Sequence, residues 1–271
     1  MTLADPVPAA ALIVAVYNNV EALRKVFLSI ENQTFRDFEV VLADDGSGPE
    51  VFELVREFQG RFPFQIRHVW HEDLGFRKTI IVNRAVVETP ADFLIFIDGD
   101  CLLHHRFIER HMVRRRPGVA HFGRRVAFNA ALTSRLTEAD VVKRRIENPF
   151  FWWGRVVDRS THHGFYAPWL YGLRNRTKNY ALLGCNFSLF KADLLAINGY
   201  DERIIGRGLE DSNLWPRMLL AGIEGKRISQ EALQYHLYHR ADPVPHDAAT
   251  IDTFCRPAEA RTPFGIEKAA L

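Results

Sequence analysis

Two rhythms of apolar residues alternate along the first hundred positions. Runs at Ala11 to Tyr17, Phe38 to Ala43 and Phe93 to Ile97 are short, rich in β-branched and aromatic residues, and stopped by polar clusters. Such runs predict strands buried on both faces. Ile66 to Trp70 predicts another short strand. Between the runs, apolar residues recur at helical spacing: Leu23, Val26, Phe27 and Ile30 after Asn19-Val20-Glu21-Ala22, with Asn18 or Asn19 as the cap, then Val51, Leu54, Val55 and Phe58 within Pro49 to Phe62. Thr79 to Glu88 reads as a third helix. This alternation predicts an α/β fold, a mostly parallel central sheet flanked by helices.

The polar stops carry the chemistry. The Phe93 run ends at Asp98-Gly99-Asp100, and the second strand ends at Asp44-Asp45-Gly46-Ser47-Gly48, so two strands deliver acids to the same sheet edge. In an open α/β sheet that edge is the ligand crevice. Gly99 would permit a tight turn that brings Asp98 and Asp100 to a common point. Two such carboxylates suit Mg²⁺ or Mn²⁺, especially beside a phosphate. Asp-Gly is also ordinary turn chemistry, which is the plainer reading. No Gly-x-Gly-x-x-Gly follows the first strand and no Gly-x-x-x-x-Gly-Lys-Ser/Thr loop occurs, which argues against dinucleotide and P-loop folds.

Composition changes this picture little. The chain has 271 residues, 47% of them hydrophobic and 25% charged, and a formal charge of +2. Cys101, Cys185 and Cys255 are odd in number and widely spaced, as expected of reduced thiols in a cytoplasmic protein. Met1 to Ala11 has neither a basic n-region nor a membrane-length apolar run, so any membrane contact is expected to be peripheral, on the inner face. His104 to Asn179 concentrates cations, at Arg114-Arg115-Arg116, Arg124-Arg125, Lys143-Arg144-Arg145 and Arg174-Asn175-Arg176, around Phe150-Phe151-Trp152-Trp153 and Trp169-Leu170-Tyr171. That mixture fits a surface meeting anionic lipid. It fits equally a core of aromatics below a solvated basic face. No nucleic-acid motif accompanies it, so no nucleic-acid partner is expected. Arg240 to Leu271 reads as a loosely packed tail.

Taken in order, Val14-Ala15-Val16-Tyr17-Asn18, Val41-Leu42-Ala43-Asp44-Asp45-Gly46-Ser47 and Ile97-Asp98-Gly99-Asp100 resemble the nucleotide-sugar half of a family 2 inverting glycosyltransferase with the GT-A fold. The family includes galactosyl, N-acetylhexosaminyl and chondroitin-polymerising enzymes. Gly75-Phe76-Arg77-Lys78 with Asn83-Arg84-Ala85 is similar to the helix before the family's metal motif, with the usual Arg-Asn order reversed. Gly184-Cys185-Asn186-Phe187-Ser188, Gly199-Tyr200-Asp201-Glu202 and Gly206-Arg207-Gly208-Leu209-Glu210-Asp211 resemble motifs of the acceptor half. The resemblance divides one continuous domain into a donor half at 1–103, a basic, aromatic-rich helical insert at 104–180, an acceptor half at 181–240 and a tail at 241–271.

The same resemblance implies roles. Tyr17, Asn18, Arg77 and Lys78 would line the donor site, Asp44 or Asp45 would bind the uracil or ribose of a UDP-sugar, and Asp98 would reach the ribose or the metal. Asp100 would bind Mn²⁺ or Mg²⁺ directly, joined from His236-Leu237-Tyr238-His239-Arg240 by a histidine, His239 in preference to His236. Asp211 would be the base that takes the acceptor proton, with Glu210 orienting a hydroxyl. Both acids also sit where a helix from Ser212 to Ala221 would begin, and they could simply complement its dipole. Arg207 stands where many relatives have Trp, which points toward an anionic acceptor. The implied partners are a nucleotide-sugar and a glycan or glycolipid acceptor, in bacterial surface polysaccharide or lipopolysaccharide synthesis. The alternatives are a nucleotidyltransferase and a silent glycan- or lipid-binding module.

Overall fold

The computed structural model describes residues 6–155, 182–229, 231–240 and 246–268. Strands β1 (Ala11–Val16), β2 (Glu39–Asp44), β3 (Ile66–Trp70) and β4 (Phe93–Asp98) are parallel neighbours in a seven-stranded sheet, with β8 (Phe187–Phe190), β6 (Val119–Phe122) and β9 (Glu224–Arg227), the last two also paired in parallel, completing the order β3-β2-β1-β4-β8-β6-β9. β8 runs antiparallel to both β4 and β6. Side chains alternate faces along each strand. Leu12, Val14, Val40, Leu42, Ile95 and Ile97 therefore join one core with α1 (Val20–Glu31) and α2 (Pro49–Gln59). Ala11, Ile13, Val41, Ala43, Leu94 and Phe96 join a second with α3 (Lys78–Glu88) on the opposite face.

The sequence-predicted elements fall within a few residues of these bounds, and Asn19 is the cap, its side chain accepting the Ala22 N–H. β1 separates β2 from β4, so the crevice opens where their C-terminal ends diverge. Gly99 serves that crevice by letting β4 approach β1 closely. A Cβ there would lie 2.7 Å from Val16 Cγ1, while the Gly99 N–H donates to Ala15 O at 2.8 Å. The glycine is needed for close approach, since its φ is not in the left-handed region.

Immediately after Gly99-Asp100 the chain begins a second sheet, which the sequence did not announce. β5 (Cys101–Leu103) pairs antiparallel with β10 (Gln234–His236), which pairs parallel with β7 (Val126–Ala127). The basic segment read as an insert is thus woven into the fold at its start, because β6 and β7 belong to the two sheets. Helices follow them at Ala130–Arg135, Glu138–Val142 and Pro149–Trp152. The cations and aromatics from Trp169 to Arg176 lie outside the described residues.

The tail also departs from expectation. Residues 246–268 carry a helix at Ala248–Cys255, and Ala260 and Ile266 pack on the second core. Asn198, at φ +65°, organises the docking: its Nδ2 donates to Thr262 O and Glu267 O at 2.7 and 2.8 Å, and its Oδ1 accepts the Glu267 N–H at 2.8 Å. Loss of these bonds, with a left-handed backbone that Ala tolerates poorly, should cost about 3 kcal/mol in Asn198→Ala. Urea denaturation should register that loss, and limited proteolysis should cut first within 246–268; an unchanged cleavage pattern would show that Asn198 does not hold the segment.

Candidate active site

The donor-side loops are locked before they reach the cleft. Asp44 has no exposed surface: Oδ1 accepts the Ser47 N–H at 2.8 Å and Oδ2 meets His68 Nε2 at 2.7 Å. Asn18 accepts the Gly48 N–H at 2.8 Å and its own N–H donates to Ser47 Oγ at 2.9 Å, tying the β1 and β2 loops together. Asp45 Oδ1 meets His71 Nε2 at 2.7 Å and Oδ2 accepts the Arg77 N–H at 2.8 Å. Of the residues read as donor-binding, Tyr17, Asp45, Lys78 and Asp98 line a cleft of about 560 Å³. Asn18, Asp44 and Arg77 stand behind it as supports. The pair Asp44 or Asp45 is thereby separated by position, since only Asp45 borders the cleft.

One lysine governs the charges on the floor. Lys78 Nζ donates to Asp98 Oδ1 at 2.6 Å. Burial alone would favour its neutral form, yet Asp98, Asp211 and Glu210 outweigh that cost and hold the ammonium well above the usual lysine range. Burial pushes Asp98 upward too, and Lys78 overcomes it, leaving the carboxyl below its ordinary value. Asp211 ends differently: burial raises its pKa to about 6, Glu210 adds to the rise, and Lys78 and the Gly184 N–H oppose it.

Asp211 is held through one oxygen. Its Oδ2 accepts the Gly184 N–H at 2.7 Å, whereas Oδ1 is buried with no hydrogen-bond partner among the described residues. Gly184 must be glycine for this contact, because a Cβ would sit 2.3 Å from that Oδ1. Glu210 turns back on its own loop, Oε2 accepting the Gly208 N–H at 2.7 Å. The helix begins at Glu210, so both acids occupy its first turn, but neither carboxylate is spent on capping it.

Asp98 and Asp100 part company in the structure. Asp98 belongs with Lys78, while Asp100 Oδ2 lies 3.5 Å from His236 Nε2 and 3.3 Å from His239 Nε2. These three residues could hold a metal ion. Two ligand atoms that share one ion at bonds of about 2.1 Å stand about 3.0–3.4 Å apart, so the donor set fits a divalent cation. Burial lowers the His236 pKa and keeps the imidazole available as a ligand. His236 was the weaker sequence candidate, and it arrives because β10 pairs His236 with Cys101 and the Leu237 N–H donates to Asp100 O at 3.0 Å. Arg125, which the sequence shows only as part of a basic run, lies beside Cys185 at the cleft wall. In both cases the position depends on strand pairing, for which the local sequence offers no signal.

The basic aromatic stretch divides. Trp152 is buried, Arg114 is engaged by Glu231 and Arg145 by Asp140, while Phe150 and Trp153 stand exposed with their rings stacked at 6.4 Å.

A crevice at the switch point of a mostly parallel sheet, with a metal-competent group on one side and a carboxylate on the other, places the molecule among the GT-A glycosyltransferase folds. The solved Mn²⁺ and GDP-Man complex of the mannosyltransferase PcManGT from Pyrobaculum calidifontis superposes with a TM-score of 0.56 at 17% identity, over 86% of this chain and 58% of that one. Glycosyl transferase family 2 matches residues 11–114, and the N-terminal domain of galactosyltransferase matches residues 170–240. Validoxylamine A glucosyltransferase of Streptomyces hygroscopicus subsp. jinggangensis is 26% identical over 80% of this chain and 53% of its own length. Chondroitin synthase of Escherichia coli is 23% identical over 83% of this chain and 34% of its own length. Residues 11–114 thus carry a family 2 glycosyltransferase domain, and the chain spans about half the length, or less, of these curated relatives.

Lys78→Met would leave Asp98, Glu210 and Asp211 facing one another without their lysine. The titration of Asp211, followed by carboxyl carbon NMR with Asp211→Asn for assignment, should then move upward from about 6. A midpoint that stays in place would mean that Lys78 does not set the charge of this floor.

Proposed function

We propose that the chain is a metal-dependent, inverting glycosyltransferase that moves a hexose or N-acetylhexosamine from a nucleotide-sugar to a hydroxyl of a glycan or glycolipid. In this reading the nucleotide is UDP and the product a bacterial surface polysaccharide or lipopolysaccharide. The observation that carries it is Asp211, whose Oδ1 is buried without a hydrogen-bond partner among the described residues, in the same cleft as Asp100, His236 and His239. Inversion by one displacement needs a base facing the acceptor and charge neutralisation at the leaving diphosphate, and the cleft has residues suited to each.

In this reading Asp45 and Asp98, which line the cleft with Tyr17, accept hydrogen bonds from the base and ribose. The Asp211 carboxylate takes the acceptor proton as the acceptor oxygen attacks the anomeric carbon opposite the diphosphate. Gly184 keeps the carboxylate aimed, and Glu210 orients a neighbouring hydroxyl. A divalent cation held by Asp100, His236 and His239 would supply Lewis-acid neutralisation of the departing diphosphate, and two imidazoles favour Mn²⁺ over Mg²⁺.

Binding and turnover should be measured over UDP-, GDP-, CMP- and dTDP-sugars with and without Mn²⁺. Asp100→Ala should abolish metal-dependent binding, whereas Asp211→Asn should keep binding and lose about 10²–10⁴ of the rate. No metal-dependent binding of any nucleotide-sugar would return the protein to the silent binding module. The wild-type rate should rise with pH through about 6, as Asp211 ionises, and then level. Stability runs the other way: the folded state holds this proton more tightly than the unfolded chain, so the contribution is full below about 3.8 and lost as pH rises through about 6. Asp211→Asn should therefore be no less stable than the wild type at pH 8 in a thermal melt, and a marked loss there would make Asp211 structural.

A glycolipid acceptor would be met at a membrane face, and the exposed Phe150 and Trp153 have the chemistry to rest there. No helix among the described residues is long and apolar enough to cross a membrane. Sedimentation with anionic liposomes at low salt tests this contact, and Phe150→Ser with Trp153→Ser should release it. A wild-type protein that stays in the supernatant ends the membrane reading.

A further inference from the structure

We infer that Arg207 selects an acceptor bearing an oxyanion, a carboxylate or a phosphate, next to the hydroxyl that is glycosylated. The inference rests on the glycosyl-transfer reading and adds the substrate class on its acceptor side. Arg207 lines the cleft with its guanidinium over the Phe76 ring, 5.8 Å from the centroid. Among the described residues it pairs with no carboxylate. Its neighbours show what the alternative looks like: Arg203 is held by Asp201 at 2.7 Å, and Lys78 is committed to Asp98.

The loop around Arg207 is anchored on every side except at the charged group. The Gly206 N–H donates to Phe76 O at 3.3 Å, Glu210 accepts the Gly208 N–H, and His246 Nε2 meets Arg207 O at 2.8 Å. Gly206 and Gly208, at φ +96° and +101°, supply the left-handed backbone on each side. A guanidinium stacked on an aromatic face keeps its charge and leaves its planar edge free for a two-pronged bond to a carboxylate or phosphate. The loop leads into Glu210 and Asp211, so the charge is on the side of the proposed base. Around Asp211 the cleft lining carries Asp45, Asp98, Asp100 and Glu210 as well as Lys78, which is already committed to Asp98, so the acids nearest the proposed base disfavour an anion there. An anionic acceptor is thus held at the rim by Arg207 while its neutral hydroxyl enters toward Asp211.

The test compares matched acceptors, 4-nitrophenyl glucuronide, glucose-6-phosphate derivatised in the same way, and 4-nitrophenyl glucoside, with the donor that the nucleotide-sugar panel identifies. The wild type should favour at least one anionic acceptor over the neutral one by about tenfold to a hundredfold in kcat/KM, the size of a charge-assisted hydrogen bond. Whether uronate or phosphate wins identifies the anion. Arg207→Ala should bring the ratio near one through acceptor KM, Arg207→Lys should retain part of it, and Arg207→Trp should favour the neutral sugar. Equal use of all three acceptors by the wild type overturns the inference and leaves glycosyl transfer standing. A rise in donor KM in place of acceptor KM in Arg207→Ala also overturns it, by assigning the charge to the diphosphate. A protein that transfers sugar to none of them, and hydrolyses no nucleotide-sugar, overturns both.

Discussion

The contact on which the site depends is the one between the end of β4 and the end of β1. Gly99 lies against Val16 and Ala15 with no room for a side chain, and its N–H is bonded to Ala15 O. From that junction the chain leaves the large sheet and starts the small one. Asp98 is therefore the last residue of one sheet and Asp100 sits at the threshold of the other. Two acids separated by a single glycine acquire different neighbours for this reason: Lys78 from the helix that precedes β4, His236 from the strand beside β5 and His239 from the loop that follows it.

Electrostatics then completes what topology begins. Five carboxylates around one cleft would repel one another if all were ionised and unpaired. Asp45 is satisfied by His71 and a backbone N–H, Asp98 by Lys78, and Glu210 by a backbone N–H of its own loop. Asp211 receives one backbone donor and keeps a buried oxygen with no partner among the described residues, so its proton affinity rises toward the pH at which a carboxylate can exchange protons usefully. Lys78 restrains that rise. The floor functions as one set, with Lys78 at its centre.

Outside the cleft, the difference between expectation and structure follows from what each stretch can report locally. Residues 246–268, poor in pattern and rich in Pro and Ala, give no periodic signal. They are nevertheless ordered by Asn198, Glu202 and Arg217, whose bonds to that segment cross large sequence separations. The segment read as a basic insert contributes β6 and β7, strands of four and two residues, too short for a pattern of hydrophobic residues to mark. Exposure is likewise not local: Trp152 and Trp153 are adjacent, and one is buried while the other is exposed.

The sequence by itself determined the parallel strands, the helices that cover them and the acids at the strand ends, because hydrophobic periodicity and polar stops are written residue by residue. It also carried the motifs of the family, in order, through Asp211 and His239. Only the tertiary structure decided which member of each candidate pair faces the cleft, Asp45 where Asp44 is enclosed, and that His236 stands with His239 at Asp100. Those choices depend on strand register and on contacts between residues more than a hundred positions apart, where a shift of one residue turns a side chain from the cleft to the core.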